Sequence, residues 1–136
     1  VMGVGYGGIR VVSRDDGRTW VKVAQLAAGG GDDQNLLRCV TWGRGLWITG
    51  GWRHFTSTDG KTWTERKNPD GCGLMQGVAY GAGRFVATCG ESSWVSDDGL
   101  AWRRGGLIGS GGHTRVLYAD GDKKFVAWGD DREVYT

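Results

Sequence analysis

Three stretches of the chain share one alternation of apolar and polar positions. Leu36-Leu37-Arg38-Cys39-Val40-Thr41-Trp42, Leu74-Met75-Gln76-Gly77-Val78-Ala79-Tyr80 and His113-Thr114-Arg115-Val116-Leu117-Tyr118 superimpose, so that Val40, Val78 and Val116 coincide and an aromatic residue follows two places on. Apolar side chains at every second position are the mark of a half-buried strand. A Gly-rich turn follows each: Gly43-Arg44-Gly45, Gly81-Ala82-Gly83-Arg84 and Asp120-Gly121-Asp122-Lys123-Lys124. A second apolar run comes next, over residues 46–51, 85–90 and 125–129. A third strand then enters a polar corner and a fourth leaves it through a tryptophan.

The corners also repeat. Ser13-Arg14-Asp15-Asp16-Gly17-Arg18-Thr19-Trp20 is the first, Ser57-Thr58-Asp59-Gly60-Lys61-Thr62-Trp63 the second and Ser96-Asp97-Asp98-Gly99-Leu100-Ala101-Trp102 the third. Gly17 and Gly60 are 43 residues apart, and Gly60 and Gly99 are 39 apart. A period of this size belongs to a propeller or a solenoid. Asp and Ser side chains hold such a turn by bonding nearby backbone N–H groups, and Gly supplies the positive φ. The Trp that follows is large enough to bury against the neighbouring repeat.

These corners resemble the Asp-box, or BNR, repeat of bacterial sialidase-like β-propellers, and the phrase Tyr-Gly-x-Gly-x-Phe-Val-Ala-x-x-Gly from Tyr80 to Gly90 resembles bacterial surface repeat arrays of that family. The residues that carry the likeness are Ser13, Asp15, Gly17 and Trp20, then Ser57, Asp59, Gly60 and Trp63, then Ser96, Asp97, Gly99 and Trp102. The first box fits Ser-x-Asp-x-Gly-x-Thr-Trp in full. The second has Thr58 in the Asp place with Asp59 one position late, and the third has Val95 in the Ser place and Ala101 in the Thr place.

The resemblance implies an all-β fold, a β-propeller segment of about three and a half four-stranded blades with strands A, B, C, box, D in each unit. Residues 1–24 supply B, C and D of a first blade, 35–67 and 74–106 are whole blades, and 113–136 supply A, B and C of a fourth. A propeller typically closes with about 4–8 blades. The expectation is therefore a piece of a longer chain, or closure with a second copy.

Composition agrees with short strands and tight turns: 27 glycines, one proline and eight tryptophans in 136 residues. The net charge of +2, with both signs interspersed, makes no basic stripe and argues against a nucleic-acid partner. No apolar run approaches the roughly 20 residues of a membrane helix, and no signal-peptide pattern is present.

Strand direction places A–B turns and boxes on one rim, and B–C and D–A loops on the other. In sialidase-like propellers the active face is the one opposite the boxes. Trp52 is the one tryptophan that reads as a loop residue, and beside Arg53 its ring can stack a sugar or anchor a protein. Tyr6, Glu91, Asp130 and Arg132 join it as ligand-binding candidates on that face. The alternatives are that Trp52 covers a blade edge and that the charges are solvated.

A catalytic reading finds little. The resemblance would require three arginines on a substrate carboxylate, a Tyr–Glu pair and an acid/base Asp, with an Arg-Ile-Pro strand before the first box. Pro69 is the only proline and Arg10 precedes Val11, so that strand is absent. No Ser-His-Asp spacing, phosphate loop or nucleophile elbow is present. His54 and His113 read as surface residues without a zinc cluster, and the Asp pairs as turn-making or solvated acid rather than calcium ligands. No metal or cofactor is expected.

Cys72 enters the third blade and Cys89 ends its strand B. Strands A and B are antiparallel neighbours, so the two are predicted to form a disulfide, which points to the periplasm, the cell surface or the outside. Cys39 reads as a free packed thiol.

The expected function is a non-catalytic propeller segment that presents loops to a glycan or protein. Alternatives are the propeller part of a sialidase-like glycoside hydrolase and a structural subunit of a large surface assembly.

Overall fold

The computed structural model describes residues 1–25, 33–108, 115–129 and 134–136. Among the described residues, fourteen strands make four antiparallel sheets in which spatial order follows chain order. The first sheet holds β1 (Met2–Val4), β2 (Arg10–Val12) and β3 (Val21–Ala24). The second holds β4 (Leu37–Gly43), β5 (Leu46–Gly51), β6 (His54–Ser57) and β7 (Thr64–Arg66). The third holds β8 (Gly77–Gly81), β9 (Arg84–Cys89), β10 (Ser92–Ser96) and β11 (Arg103–Leu107). The fourth holds β12 (Arg115–Ala119), β13 (Lys124–Trp128) and β14 (Val134–Tyr135). A single 3-10 turn, Tyr6–Gly8, interrupts the strands, and no α-helix occurs among the described residues. His113, Asp130, Asp131 and Arg132 lie outside the described residues.

The hairpin turns explain the Gly-rich joints. Arg44 and Gly45 take φ of 50° and 75°, and Ala82 and Gly83 take 47° and 77°. Two consecutive left-handed residues match the twist of the flanking strands.

The sheets stack face to face through β4, β8 and β12, with β1 beside β4. Glycine makes that stacking possible. A Cβ on Gly43 would lie 2.1 Å from Cγ of Tyr80, and one on Gly81 would lie 2.0 Å from Cγ of Tyr118. Each Tyr leans on a Phe of the adjoining strand, with centroids 4.7 Å apart for Tyr80–Phe85 and 4.9 Å for Tyr118–Phe125. Trp42 and Trp47 form the same pair in the second sheet at 5.0 Å, and Trp42 is 46% exposed; the first sheet has, among the described residues, no strand equivalent to those that carry Gly43 and Gly81. The core between the second and third sheets is Ile48, Met75, Val78, Phe85, Ala87 and Trp94 with the two bonded cysteines.

Each corner is a side-chain-closed turn. Ser57 Oγ donates to Asp59 (3.0 Å) and accepts the Gly60 N–H (2.8 Å), while Asp59 accepts the amides of Lys61 and Thr62, both at 2.8 Å. The third corner repeats this with Ser96, Asp98 and Gly99, and Asp98 accepts the Leu100 and Ala101 amides at 2.8 Å. Asp98 therefore holds the turn, not Asp97, and Ser96 rather than Val95 fills the Ser place. The first corner is one residue longer: Ser13 Oγ accepts from Gly17, and the extra Asp16 takes φ of 58°. Its Asp15 accepts both the amide (2.9 Å) and hydroxyl (2.6 Å) of Thr19. The second and third corners thus share one short form, and the alignment to the first needs a one-residue gap.

Corner tryptophans pack backwards. Trp63 lies under Arg10 of the first sheet and Trp102 against His54 of the second. Trp20 stays 46% exposed, its Nε1 donating to the Gly17 carbonyl at 3.0 Å, so the expected burial against a neighbour does not apply to it. His54 is buried at 1% exposure, a correction to its reading as a surface residue. It takes the position equivalent to Arg10, which faces the next sheet.

Cys72 and Cys89 are bonded, with Cα atoms 5.4 Å apart, because β8 and β9 run antiparallel from that end. Cys39 is free and half-buried, with Sγ 3.6 Å from the Gly50 carbonyl oxygen, and burial pushes its thiol up to about 12. Such a disulfide belongs to oxidising surroundings. No helix among the described residues is long and apolar enough to cross a membrane.

Candidate functional site

The rim opposite the corners is built from the loop between β1 and β2, its counterparts between β5 and β6 and between β9 and β10, and the segments that enter each sheet. In the first sheet, Gly7 and Gly8 at φ of 62° and 71° fold residues 5–9 into a tight turn closed by Gly5 N–H to the Ile9 carbonyl at 3.2 Å. Tyr6 projects from it, 55% exposed, and its hydroxyl donates to Asp33. The Leu37 amide bonds the Gly5 carbonyl at 3.1 Å, which fastens this turn to the start of β4.

Asp33 shares a turn with Asn35, and Asn35 reaches the second sheet. Its Oδ1 accepts Arg53 Nη1 at 2.9 Å. Arg53 also grips Glu65 with Nε at 2.8 Å and Nη2 at 2.5 Å, a two-pronged pair. That bond raises the arginine above its ordinary value and holds the Glu65 carboxyl below its own. Tyr6 and Arg53 are thus joined through residues 33–35.

Trp52 stands beside Arg53 and is 53% exposed. Its backbone is held, not its ring: Asn68 Nδ2 donates to the Trp52 and Gly73 carbonyls, both at 3.1 Å, and the Met75 amide bonds the Gly51 carbonyl at 2.9 Å. The 68–75 segment is pinned in turn by the disulfide at Cys72.

Beneath these groups lies Arg10, 1% exposed. Its guanidinium sits 4.6 Å from the Phe55 ring centroid, and Arg53 lies 5.2 Å above the same ring. Nη1 donates to the Gly8 carbonyl at 3.2 Å, while Nε and Nη2 have no hydrogen-bond partner among the described residues. Burial, then the charge of Arg53, lowers Arg10 to about 10.

Glu91 is exposed in the third sheet's loop, where its carbonyl accepts the Ile108 amide at 2.7 Å. Its carboxylate makes no hydrogen bond or ion pair among the described residues and does not join the Tyr6–Arg53 group. Asp130 and Arg132 lie outside the described residues. Reading the chain by its repeat missed Asp33, Asn35, Glu65 and Arg10 as parts of this group. Arg10 alone left a signal, a charge at the inward-facing register of an apolar run. Among the described residues no group of three or more His, Cys, Asp or Glu side chains forms a metal cluster.

No family model matches the chain, and no curated protein matches it. Its structure is similar to the solved structure described as "YCF48 bound to D1 peptide", with a TM-score of 0.64 and 18% identity over 98% of this chain and 50% of that one. The chain therefore spans half the length of that structure. At this identity the likeness shows the fold, a β-propeller.

Proposed function

We propose that this propeller segment is a non-catalytic binding module, and that its partner is an extended protein segment laid across the loop rim at Tyr6, Trp52 and Arg53. The observation that carries this reading is Trp52: a large ring, half exposed, on a backbone fixed from two sides. A Trp side chain has only two torsions to lose, so on a fixed backbone it gives up little freedom on contact, and such residues dominate binding energy. The similar solved structure holds a peptide, which supports a protein partner over a glycan. The three Ser–Asp–Gly corners support kinship with sialidase-like Asp-box propellers, and the disulfide supports an exported protein.

The hydrolase reading has one observation in its favour, the Tyr6–Asp33 hydrogen bond, a tyrosine paired with a carboxylate. Against it, Arg53 is occupied by Glu65 and Arg10 is covered by rings, so neither guanidinium is open to a substrate carboxylate.

Panning a random peptide library tests the proposal. Selected peptides bind the wild type and lose at least about ten-fold in Trp52→Ala and Tyr6→Ala, a loss typical of one anchoring ring. No loss is expected in Lys61→Ala on the opposite rim. Sialoside turnover that disappears in Glu91→Gln, or glycan binding without peptide binding, would overturn it.

A further inference from the structure

The corner rim carries an apolar cleft. Met2, Val12 and Val21 form a cross-strand row on the face of the first sheet that turns toward the second. Val23 extends the row, and Trp47 of β5 faces it across a cleft of about 530 Å³. That volume lies within the roughly 300–1,000 Å³ of ordinary small-molecule pockets.

The internal repeat shows that the equivalent space at the next junction is filled. Between the second and third sheets, the residue three places after the corner Trp is Arg66, where the first sheet has Val23. Arg66 lies back over its sheet and its Nε donates to the Thr56 hydroxyl at 3.0 Å, and Thr56 stands where the first sheet has Val12. The corner glycine of that junction is pressed by its neighbours: a Cβ on Gly99 would meet Ile48 at 2.8 Å and Leu46 at 2.9 Å. The equivalent Gly60 is looser, with Met2 at 3.2 Å and Trp47 at 3.5 Å. Two valines in place of a long polar pair thus leave an apolar opening, and Val21 at its mouth is 65% exposed.

The rim of the cleft is charged. Arg14 and Lys61 line it, and neither side chain has an ion pair or hydrogen bond among the described residues. Asp59 also lines it, but its carboxylate is already engaged by the Ser57 hydroxyl and the Lys61 and Thr62 amides. Two unpaired cations beside one occupied carboxylate favour an incoming anion.

We propose that the cleft between the first and second sheets binds a small amphipathic carboxylate, with its apolar body against Trp47 and its anion between Arg14 and Lys61. The site lies on the rim opposite Trp52 and does not depend on the loop-face reading.

The test is a titration of the protein with 4-phenylbutyrate, read at the Trp47 indole N–H by two-dimensional NMR. 4-Phenylbutanol and 4-phenylbutylamine supply the same body with no charge and the opposite charge. The carboxylate is expected to give a saturable Trp47 shift and to bind at least roughly ten-fold tighter than the alcohol, a difference that shrinks at high salt. Val23→Arg, which restores the filling seen at the next junction, abolishes the shift. Arg14→Gln with Lys61→Gln brings the carboxylate down to the alcohol. Val21→Glu, at an exposed position, brings the charge of the lining to zero and weakens the preference for the carboxylate over the amine. No saturable shift in the wild type, equal binding of all three probes, or a charge preference unmoved by Val21→Glu would overturn the proposal.

Discussion

The guanidinium of Arg10 lies 4.5 Å from the ring centroid of Trp63, one sheet away. The same contact recurs one repeat on, where His54 meets the Trp102 ring edge-on at 6.0 Å. The corner tryptophan of each of these sheets reaches back over a planar polar side chain of the sheet before it. Each keeps one backbone contact, Arg10 Nη1 with the Gly8 carbonyl at 3.2 Å and His54 Nδ1 with the Lys67 carbonyl at 3.5 Å, and the remaining nitrogens, without a partner among the described residues, lie against rings.

Arg10 is consequently a candidate for stabilisation by removing its charge. Arg10→Met keeps the packing of the stem and removes two buried nitrogens that have no hydrogen-bond partner among the described residues, and its unfolding free energy in urea is expected within about 1 kcal/mol of wild type. Arg10→Ala leaves a void between Phe55 and Trp63 and costs about 2–4 kcal/mol.

Burial lowers His54 from 6.5 to about 4, with Arg66 adding to the fall. The folded state therefore binds fewer protons than the unfolded chain between these values. Its contribution is fully present above about pH 6.5 and is lost as pH falls toward 4, by roughly 3 kcal/mol at the acid end. Denaturation across this range should show that slope in the wild type and not in His54→Phe. The corner carboxylates of Asp15 and Asp59, each lowered to about 2 by their hydrogen bonds, add a separate loss only below their ordinary value of 3.8.

Gly43→Ala forces the Tyr80 ring off Gly43, since the added carbon would sit 2.1 Å from it. A loss of about 1–3 kcal/mol follows from overpacking. In a double-mutant cycle with Tyr80→Ala the two losses should not add, because the smaller residue removes the clash. Gly45→Ala, with nothing within 4 Å of its added carbon, is expected to show only the cost of its positive φ of 75°.

Reduction of Cys72–Cys89, or replacement of both by Ser, should lower stability by about 3 kcal/mol for a loop of 17 residues. Unfolded but unreduced protein should expose one alkylatable thiol, Cys39, and three after reduction. In the folded protein Cys39 should resist alkylation near neutral pH, since its thiolate is disfavoured.

Asp98→Ala removes the acceptor for two corner amides and should lower the melting temperature by a few degrees, as loss of a capping side chain does. Asp97→Ala, next to it in the chain, should leave the melting curve unchanged. The reverse result would restore the alignment that puts Asp97 in the turn.

Much of this fold was legible because repetition and alternation are properties of the chain. The aromatic positions Trp42, Tyr80 and Tyr118 mark equivalent strands whatever they touch, and an antiparallel pair places Cys72 beside Cys89. The corner register was less legible. Asp97 and Asp98 are chemically identical, and only the carboxylate position relative to Ser96 Oγ distinguishes them. His54 was misread for a related reason. Arg53 before it and Phe55 after it leave its face undecided, while the residue that buries it, Trp102, is 48 positions away.

By itself the sequence determined the strand order, the repeat, the joints that require positive φ and the bond between two cysteines, since each depends on local sterics or on neighbours within one meander. Only the tertiary structure decided which face of each sheet meets the next. That contact joined Tyr6 to Arg53 through residues 33–35, buried Arg10 and opened one junction while Arg66 closed another. The reason is that side chains on stacked sheets meet at separations the chain does not encode locally, where one added or missing side-chain volume settles whether a space is filled.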